Sequence, residues 1–208
     1  MPKISFTRLQ AITHLAAWLL VAWLVFDFFS GRMSVNPIQE IMQRTGRYAI
    51  WFLVVSLACT PLNSLFGMRQ ALSARRPLGV YAFMFAALHF LTFSGLDYQF
   101  NWELLLADLF EKRFAWIGLI TGTILLVLAL TSTKGWQRRL GKNWKRLHRL
   151  AYAAGLLAAL HYAWALKGDI FRLQGNVMMP LVAGVLVIVL LLARVPAVKR
   201  GVQEFRRR

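Results

Sequence analysis

Four histidines, His14, His89, His148 and His161, lie within or at the edge of long uncharged runs, and none falls in a polar loop proper. Ionisable side chains in apolar spans are rare and usually face a bundle interior, so each is a candidate functional group. The bland alternative for any one of them is an imidazole hydrogen-bonded to a neighbouring helix. Two of the four share a depth. His89 lies 13 residues past Arg76 and His161 lies 12 residues past Arg149, about 19.5 and 18 Å along a helix from those charges. Two neutral imidazoles on separate helices at one level are what a planar b-type haem needs, its iron ligated from both faces. Phe83, Phe85, Phe90, Phe93, Tyr152, Tyr162 and Trp164 add aromatic bulk nearby, as ordinary packing in such spans also does. His148 is 13 residues before His161, about 19.5 Å nearer the charged edge, which leaves room for a second redox centre. The position 13 residues before His89 is Arg76, so the remaining partner for His148 is His14, about 9 Å beyond Arg8. Those two differ in depth by about 10 Å, which helix tilt absorbs in part.

Other chemistries lack their residues. Cys59 is the only cysteine, so no internal disulfide, CxxCH haem attachment or CxxC metal pair exists. No GxGxxG, GxxxxGK[ST] or HExxH occurs. The uncharged runs contain no Asp or Glu of the kind a proton-coupled transporter uses.

These histidines need long helices to position them, and the composition supplies them. The chain has 208 residues, 58% hydrophobic and 16% charged, yet a net charge of +17. A disordered basic tail would be far less apolar, and a soluble nucleic-acid binder would intersperse its charges rather than cluster them between uncharged runs, so no nucleic-acid partner is expected. The runs Leu9–Phe26, Tyr48–Met68, Pro77–Leu96, Phe114–Thr133, Leu150–Leu166 and Leu173–Ala193 each have the length of a membrane helix. They predict an all-α polytopic membrane protein, a single domain over 1–208 whose six transmembrane helices form one bundle, with spans at about 9–29, 47–67, 77–96, 114–133, 149–166 and 173–195. The first run is followed by no small-x-small cleavage site and reads as an uncleaved helix. Of the 25 Lys and Arg, 18 fall at the N-terminus, in the second and fourth loops and in the C-terminal tail, whereas seven of the eight acids fall in the other loops. Cytoplasmic loops retain basic residues, so both termini are expected in the cytoplasm. The basic inner face would bind anionic lipid or dock an acidic or phosphate-bearing partner. Within the fourth loop, Trp136, Leu140, Trp144 and Leu147 recur at helical spacing among basic residues, predicting one amphipathic interfacial helix over Lys134–His148 with its tryptophans as membrane anchors. Gly118 and Gly122 form a GxxxG expected to allow close helix packing within the monomer.

Several segments carry a resemblance. Thr45-Gly46-Arg47, Thr60-Pro61-Leu62, Arg75-Arg76-Pro77-Leu78-Gly79, His89, the run from Thr131-Ser132-Thr133 through Gln137-Arg138-Arg139-Leu140-Gly141-Lys142-Asn143-Trp144 to Leu147-His148, and His161-Tyr162 resemble the haem-binding membrane subunit family of bacterial periplasmic methionine sulfoxide reductase systems. The wider relatives are ferric reductase-like transmembrane proteins. The stretch from Thr131 to His148 is the specific part. The resemblance implies a multi-pass cytochrome of the bacterial inner membrane that takes electrons from a cytoplasmic flavin reductase or from membrane quinol. It would deliver them to a periplasmic molybdopterin-containing catalytic subunit that reduces methionine sulfoxide in oxidised proteins. This chain would carry electrons and would not itself touch the sulfoxide. Haem b, one or two per chain, is implied with His89, His148 and His161 as ligands, and His14 is the further metal-ligand candidate from its spacing. FMN is implied as well, and quinone is a further cofactor candidate. With no soluble flavin-binding motif, Arg75 and Arg76 are candidates to hold a phosphate or propionate, since guanidinium forks suit such groups; otherwise they anchor the third span. Rival readings are a cytochrome b561-like quinol oxidase or ferric reductase, and a haem-free assembly factor or transporter.

Overall fold

The computed structural model describes residues 7–165 and 177–200, apart from 197 and 199. Among the described residues there is no strand, and nine α-helices run in the order α1 Arg8–Phe29, α2 Pro37–Phe66, α3 Ala71–Leu91, α4 Trp102–Glu111, α5 Arg113–Leu130, α6 Lys134–Leu140, α7 Lys142–Leu147, α8 Leu150–Ala165 and α9 Met178–Leu192. A π-helical turn over Thr92–Asp97 extends α3. Local sequence sets the ends. Thr7 and Gln10 form a reciprocal capping box at the start of α1. Asn36 caps α2 with Pro37 in its first turn, and Gly67, at φ +72°, closes the helix in the left-handed conformation that glycine adopts without strain.

Three stretches are long and apolar enough to cross a membrane: α1, α2, and α3 with its π-turn to Asp97. Helices α4 and α5 meet at 110° and together pass the same test, which makes up to four. Helices α8 and α9, with 16 and 15 residues, are shorter. The loop expected over Lys167–Arg172 and the end of the basic tail lie outside the described residues.

Two helix pairs, α2 with α3 and α5 with α8, dominate the packing and wall the interior. Phe52, Tyr81 and Phe85 form an aromatic floor between α2 and α3, with Phe85 fully buried. On the outer faces Leu15, Trp18, Leu19 and Trp23 of α1 are exposed, which suits hydrocarbon rather than water. Two prolines inside helices tie the bundle together. Proline cannot donate to the carbonyl four residues earlier. Pro77 thereby frees the Ser73 carbonyl, which accepts from Gln10 of α1 at 3.1 Å, and Pro61 frees the Leu57 carbonyl, which accepts from Arg194 at 2.5 Å.

Helix α2 begins ten residues before the span read from hydropathy, because its charges are paired across helices. Arg44 bonds Asp27 of α1 and Glu40 one turn earlier, each at 2.5 Å, and Asp27 is buried. Breaking a buried ion pair strands the other charge, so Asp27→Ala is expected to destabilise the protein by about 3–5 kcal/mol. Unfolding of the detergent-solubilised variant measures this, and wild-type stability would show that Arg44 finds another partner.

The segment Asp97–Arg113, expected as an outer loop, contains α4, whose Leu105 and Leu109 are buried. The basic fourth loop is helical but is two helices, α6 and α7, broken at Gly141, whose φ of +51° interrupts the single amphipathic helix expected there.

Candidate functional site

A cavity of about 340 Å³ opens between α2, α3, α5 and α8. His89 reaches it from α3 and His161 from α8, and their ring centroids are 6.1 Å apart with planes at 83°. The Nδ1 of His89 donates to the Met42 carbonyl, and the Nδ1 of His161 donates to the Phe114 carbonyl, both at 2.8 Å. A carbonyl only accepts, so each imidazole carries its proton on Nδ1 and keeps the Nε2 lone pair free, which is the tautomer of a metal ligand fixed by an outer partner. Two imidazoles about 2 Å from one metal on opposite sides put their centroids about 6 Å apart, which the observed spacing meets. No group of three or more His, Cys, Asp or Glu forms a metal cage among the described residues. A two-imidazole site fits a metal whose remaining ligands come from a macrocycle. Most of the lining is apolar, including Ile50, Leu53, Phe90 and Leu125, as a flat hydrophobic group requires.

The polar exceptions are informative. Arg47, three turns into α2, lines the cavity and makes no salt bridge among the described residues. Lys112 also lines it, and Asp108 of α4 accepts from both Lys112 and the Tyr98 hydroxyl. An arginine on an apolar cavity wall with no salt bridge is able to pair with an anionic group.

The other two histidines have different settings. His148 stacks on Trp144, ring centroids 4.0 Å apart and planes at 28°. The Thr131 hydroxyl donates to the Val127 carbonyl at 2.7 Å, so it accepts from the His148 Nε2 at 3.2 Å. Burial first, and then the charges of Arg75 and Arg76, push this imidazole below its ordinary pKa and keep it neutral at neutral pH. Trp144 also donates its indole N–H to the Thr131 carbonyl at 2.9 Å. It is therefore a bracket for His148 and the end of α5, a role that its spacing alone did not suggest. His14 pairs at 2.7 Å with the Tyr81 hydroxyl, at a shallow groove that includes Gln10 and Arg76. The structure thus brings His89 and His161 together, and gives His14 and His148 separate neighbours. Arg75 presents its carbonyl to Ser56 at 2.8 Å, and its charge acts on His148.

Sequence reasoning missed the carbonyls of Met42 and Phe114 and the place of Arg47 on the cavity wall. A signal for the first was present: each carbonyl residue precedes its histidine by 47 positions, and in each case a glycine, Gly46 or Gly118, follows the carbonyl residue by four. Gly118 of the GxxxG does make a close packing contact, against the His161 ring, whereas Gly122 opens onto the cavity.

Residues 45–159, which include His89 and end two residues before His161, match the family model of the ferric reductase like transmembrane component. A protein of Rhodospirillum rubrum called protein-methionine-sulfoxide reductase heme-binding subunit MsrQ is 38% identical over 196 residues, covering 93% of this chain and 91% of its own. Proteins of the same name from Xanthomonas euvesicatoria pv. vesicatoria and Xanthomonas campestris pv. campestris (strain 8004) are each 38% identical, covering 77% and 81% of this chain and 77% and 80% of their own. With nearly its whole length aligned to such relatives and more than half matched by the family model, the chain belongs to the ferric reductase-like transmembrane family and, within it, to the MsrQ family.

Proposed function

We propose that this protein is the b-type haem electron-transfer subunit of a periplasmic methionine sulfoxide reductase system, carrying electrons across the bacterial inner membrane. The observation that carries the reading is the pair His89 and His161, facing each other across a cavity with both Nδ1 atoms committed to carbonyls. When bound there, haem supplies one-electron redox chemistry at a point inside the bilayer. The chain's own part is to present two neutral imidazoles, to keep the site apolar through α2, α3, α5 and α8, and to offer Arg47 and Lys112 to the haem's propionate carboxylates. His148, at the start of α8, is the inner relay and a second haem ligand in this scheme, with His14 as its candidate partner; Arg75 and Arg76 beside it are where the phosphate of FMN would sit.

Six spans with both termini in the cytoplasm complete the proposal, as the distribution of basic residues requires. Electrons then arrive from a cytoplasmic flavin reductase or from membrane quinol. They leave toward the outer segment around α4, to a molybdopterin-containing catalytic subunit. Two such passages, with two protons taken up at that subunit, convert a sulfoxide to a thioether and water. This chain moves the electrons and makes no bond to the sulfoxide. The names of the relatives support the haem and the reductase partner.

The test is an absorption spectrum of the purified, detergent-solubilised protein before and after dithionite. Sharp reduced α and Soret bands are expected, and their absence would leave the histidines as packing residues of a haem-free membrane protein. Arg47→Gln should lower haem retention on dilution by about tenfold, the loss expected when one charge-assisted contact of about 1.5 kcal/mol disappears. A haem-to-protein ratio equal to wild type would remove Arg47 from the site. Reporter fusions after Arg208 and within Arg69–Arg76 should read cytoplasm, and those within Asp97–Glu111 periplasm; a periplasmic C-terminus would reverse the proposed direction of electron flow.

A further inference from the structure

We infer that Gly46 and Gly118 are positioning residues that set the orientation of the two axial imidazoles, forming matched halves of one cradle. The inference rests on the haem reading above and adds to it which backbone positions fix the ligand geometry. On α2, the Met42 carbonyl takes the His89 Nδ1 proton, and Gly46, one turn further on, lies under the same ring: a Cβ there would stand 3.1 Å from Nδ1 and 3.3 Å from Cε1. On α5, the Phe114 carbonyl takes the His161 Nδ1 proton, and a Cβ on Gly118 would stand 2.7 Å from Cε1 and 2.9 Å from Nδ1. Met42, Gly46 and His89 recur as Phe114, Gly118 and His161, each 72 residues further along the chain. Helix pairs α2/α3 and α5/α8 therefore build the same device twice, one on each side of the cavity.

The physical content is steric and directional together. The carbonyl fixes where the Nδ1 edge of each ring points, and the bare glycine lets the ring lie against the neighbouring helix backbone. A methyl group below 3.0 Å from a ring atom forces that ring to move, and the hydrogen bond on the same edge leaves tilting or rotation as its way out. The rings now stand at 83° to each other. Mutually perpendicular imidazole planes on ferric iron give a highly anisotropic low-spin electron paramagnetic resonance signal, so the spectrum reports this angle directly.

The experiment compares full-length wild type with Gly118→Ala and Gly46→Ala, using Gly79→Ala on α3 as a control whose Cβ would meet only the Ser56 hydroxyl at an ordinary 3.5 Å. Oxidised samples are examined by electron paramagnetic resonance, and their midpoint potentials are titrated. Wild type and Gly79→Ala should share the anisotropic low-spin signal. Gly118→Ala should move it to a rhombic signal, or replace it with a high-spin one that added imidazole returns to low-spin. Gly46→Ala, with its looser contact, should shift it less and in the same direction. A merely structural role would lower yield without moving the signal of the haem that remains. If Gly118→Ala does not accumulate, Gly46→Ala decides: an unchanged signal and potential overturn the inference. A haem-bearing wild type with spectrally silent glycine variants overturns this inference alone, whereas a wild type without haem overturns the haem reading and this one with it.

Discussion

His161→Ala and His89→Ala are each expected to abolish the bis-imidazole low-spin spectrum and to weaken haem retention by at least the 10–100-fold that removal of an outer partner of a metal ligand costs. The loss should be large because each ring is held once, by one carbonyl, with no third histidine beside it to substitute: His148 is bonded to Thr131 and His14 to Tyr81. Membrane insertion should survive, since the charge clusters that set topology are untouched. Measuring the reduced α-band and the haem-to-protein ratio of both variants, alongside His14→Ala and His148→Ala, separates the sites. The latter two should keep the signature of the His89–His161 pair and subtract any second component that belongs to another haem. Wild-type spectra and full stoichiometry in both His89→Ala and His161→Ala would falsify the pairing.

How much of this was legible in the sequence varies with how local the determining contacts are. The helical class and the shared depth of His89 and His161 follow from run lengths and the helical rise, which are properties of contiguous residues. The start of α2 did not follow, because hydropathy cuts a span at Arg44 and Arg47, whereas the structure carries the helix through them with Asp27, 17 positions before Arg44, neutralising the first. Helix α4 was hidden for a similar reason. Its acids Glu103, Asp108 and Glu111 read as a polar loop, yet Asn101 caps the helix, Leu105 and Leu109 point inward, and Asp108 is bonded to Tyr98 and Lys112. The break at Gly141 needs a positive φ, which the even spacing of Trp136, Leu140, Trp144 and Leu147 does not encode. The bracketing role of Trp144 was not legible either, because spacing places a side chain on a face without saying what it bonds. Its indole N–H finds the Thr131 carbonyl across the turn between α5 and α6.

That bracket bears on where electrons come in. Crossing about 30 Å of hydrocarbon in one step would be slow, so a relay needs an inner acceptor; in the proposed orientation that is His148, held by Trp144 and Thr131 beside Arg75 and Arg76. The two short helices leading into it carry Arg138, Arg139, Lys142 and Lys145, and Arg139 lies over the Trp136 ring at 5.2 Å. Charges grouped next to a redox site raise the encounter rate of an anionic donor by about 10- to 1,000-fold at low ionic strength. Neutralising all four to glutamine should therefore slow reduction by a phosphate-bearing flavin donor by about tenfold or more and flatten its salt dependence, because screening acts through the same charges. Reoxidation from the periplasmic side should be unchanged, since His89 and His161 lie in a separate cavity walled by other helices. Stopped-flow reduction at two ionic strengths, with haem content as the control for folding, reads all three quantities. Reduction indifferent to both the substitutions and the salt would instead assign uptake to quinol within the bilayer, and would leave α6 and α7 as a membrane-surface contact with no part in donor capture.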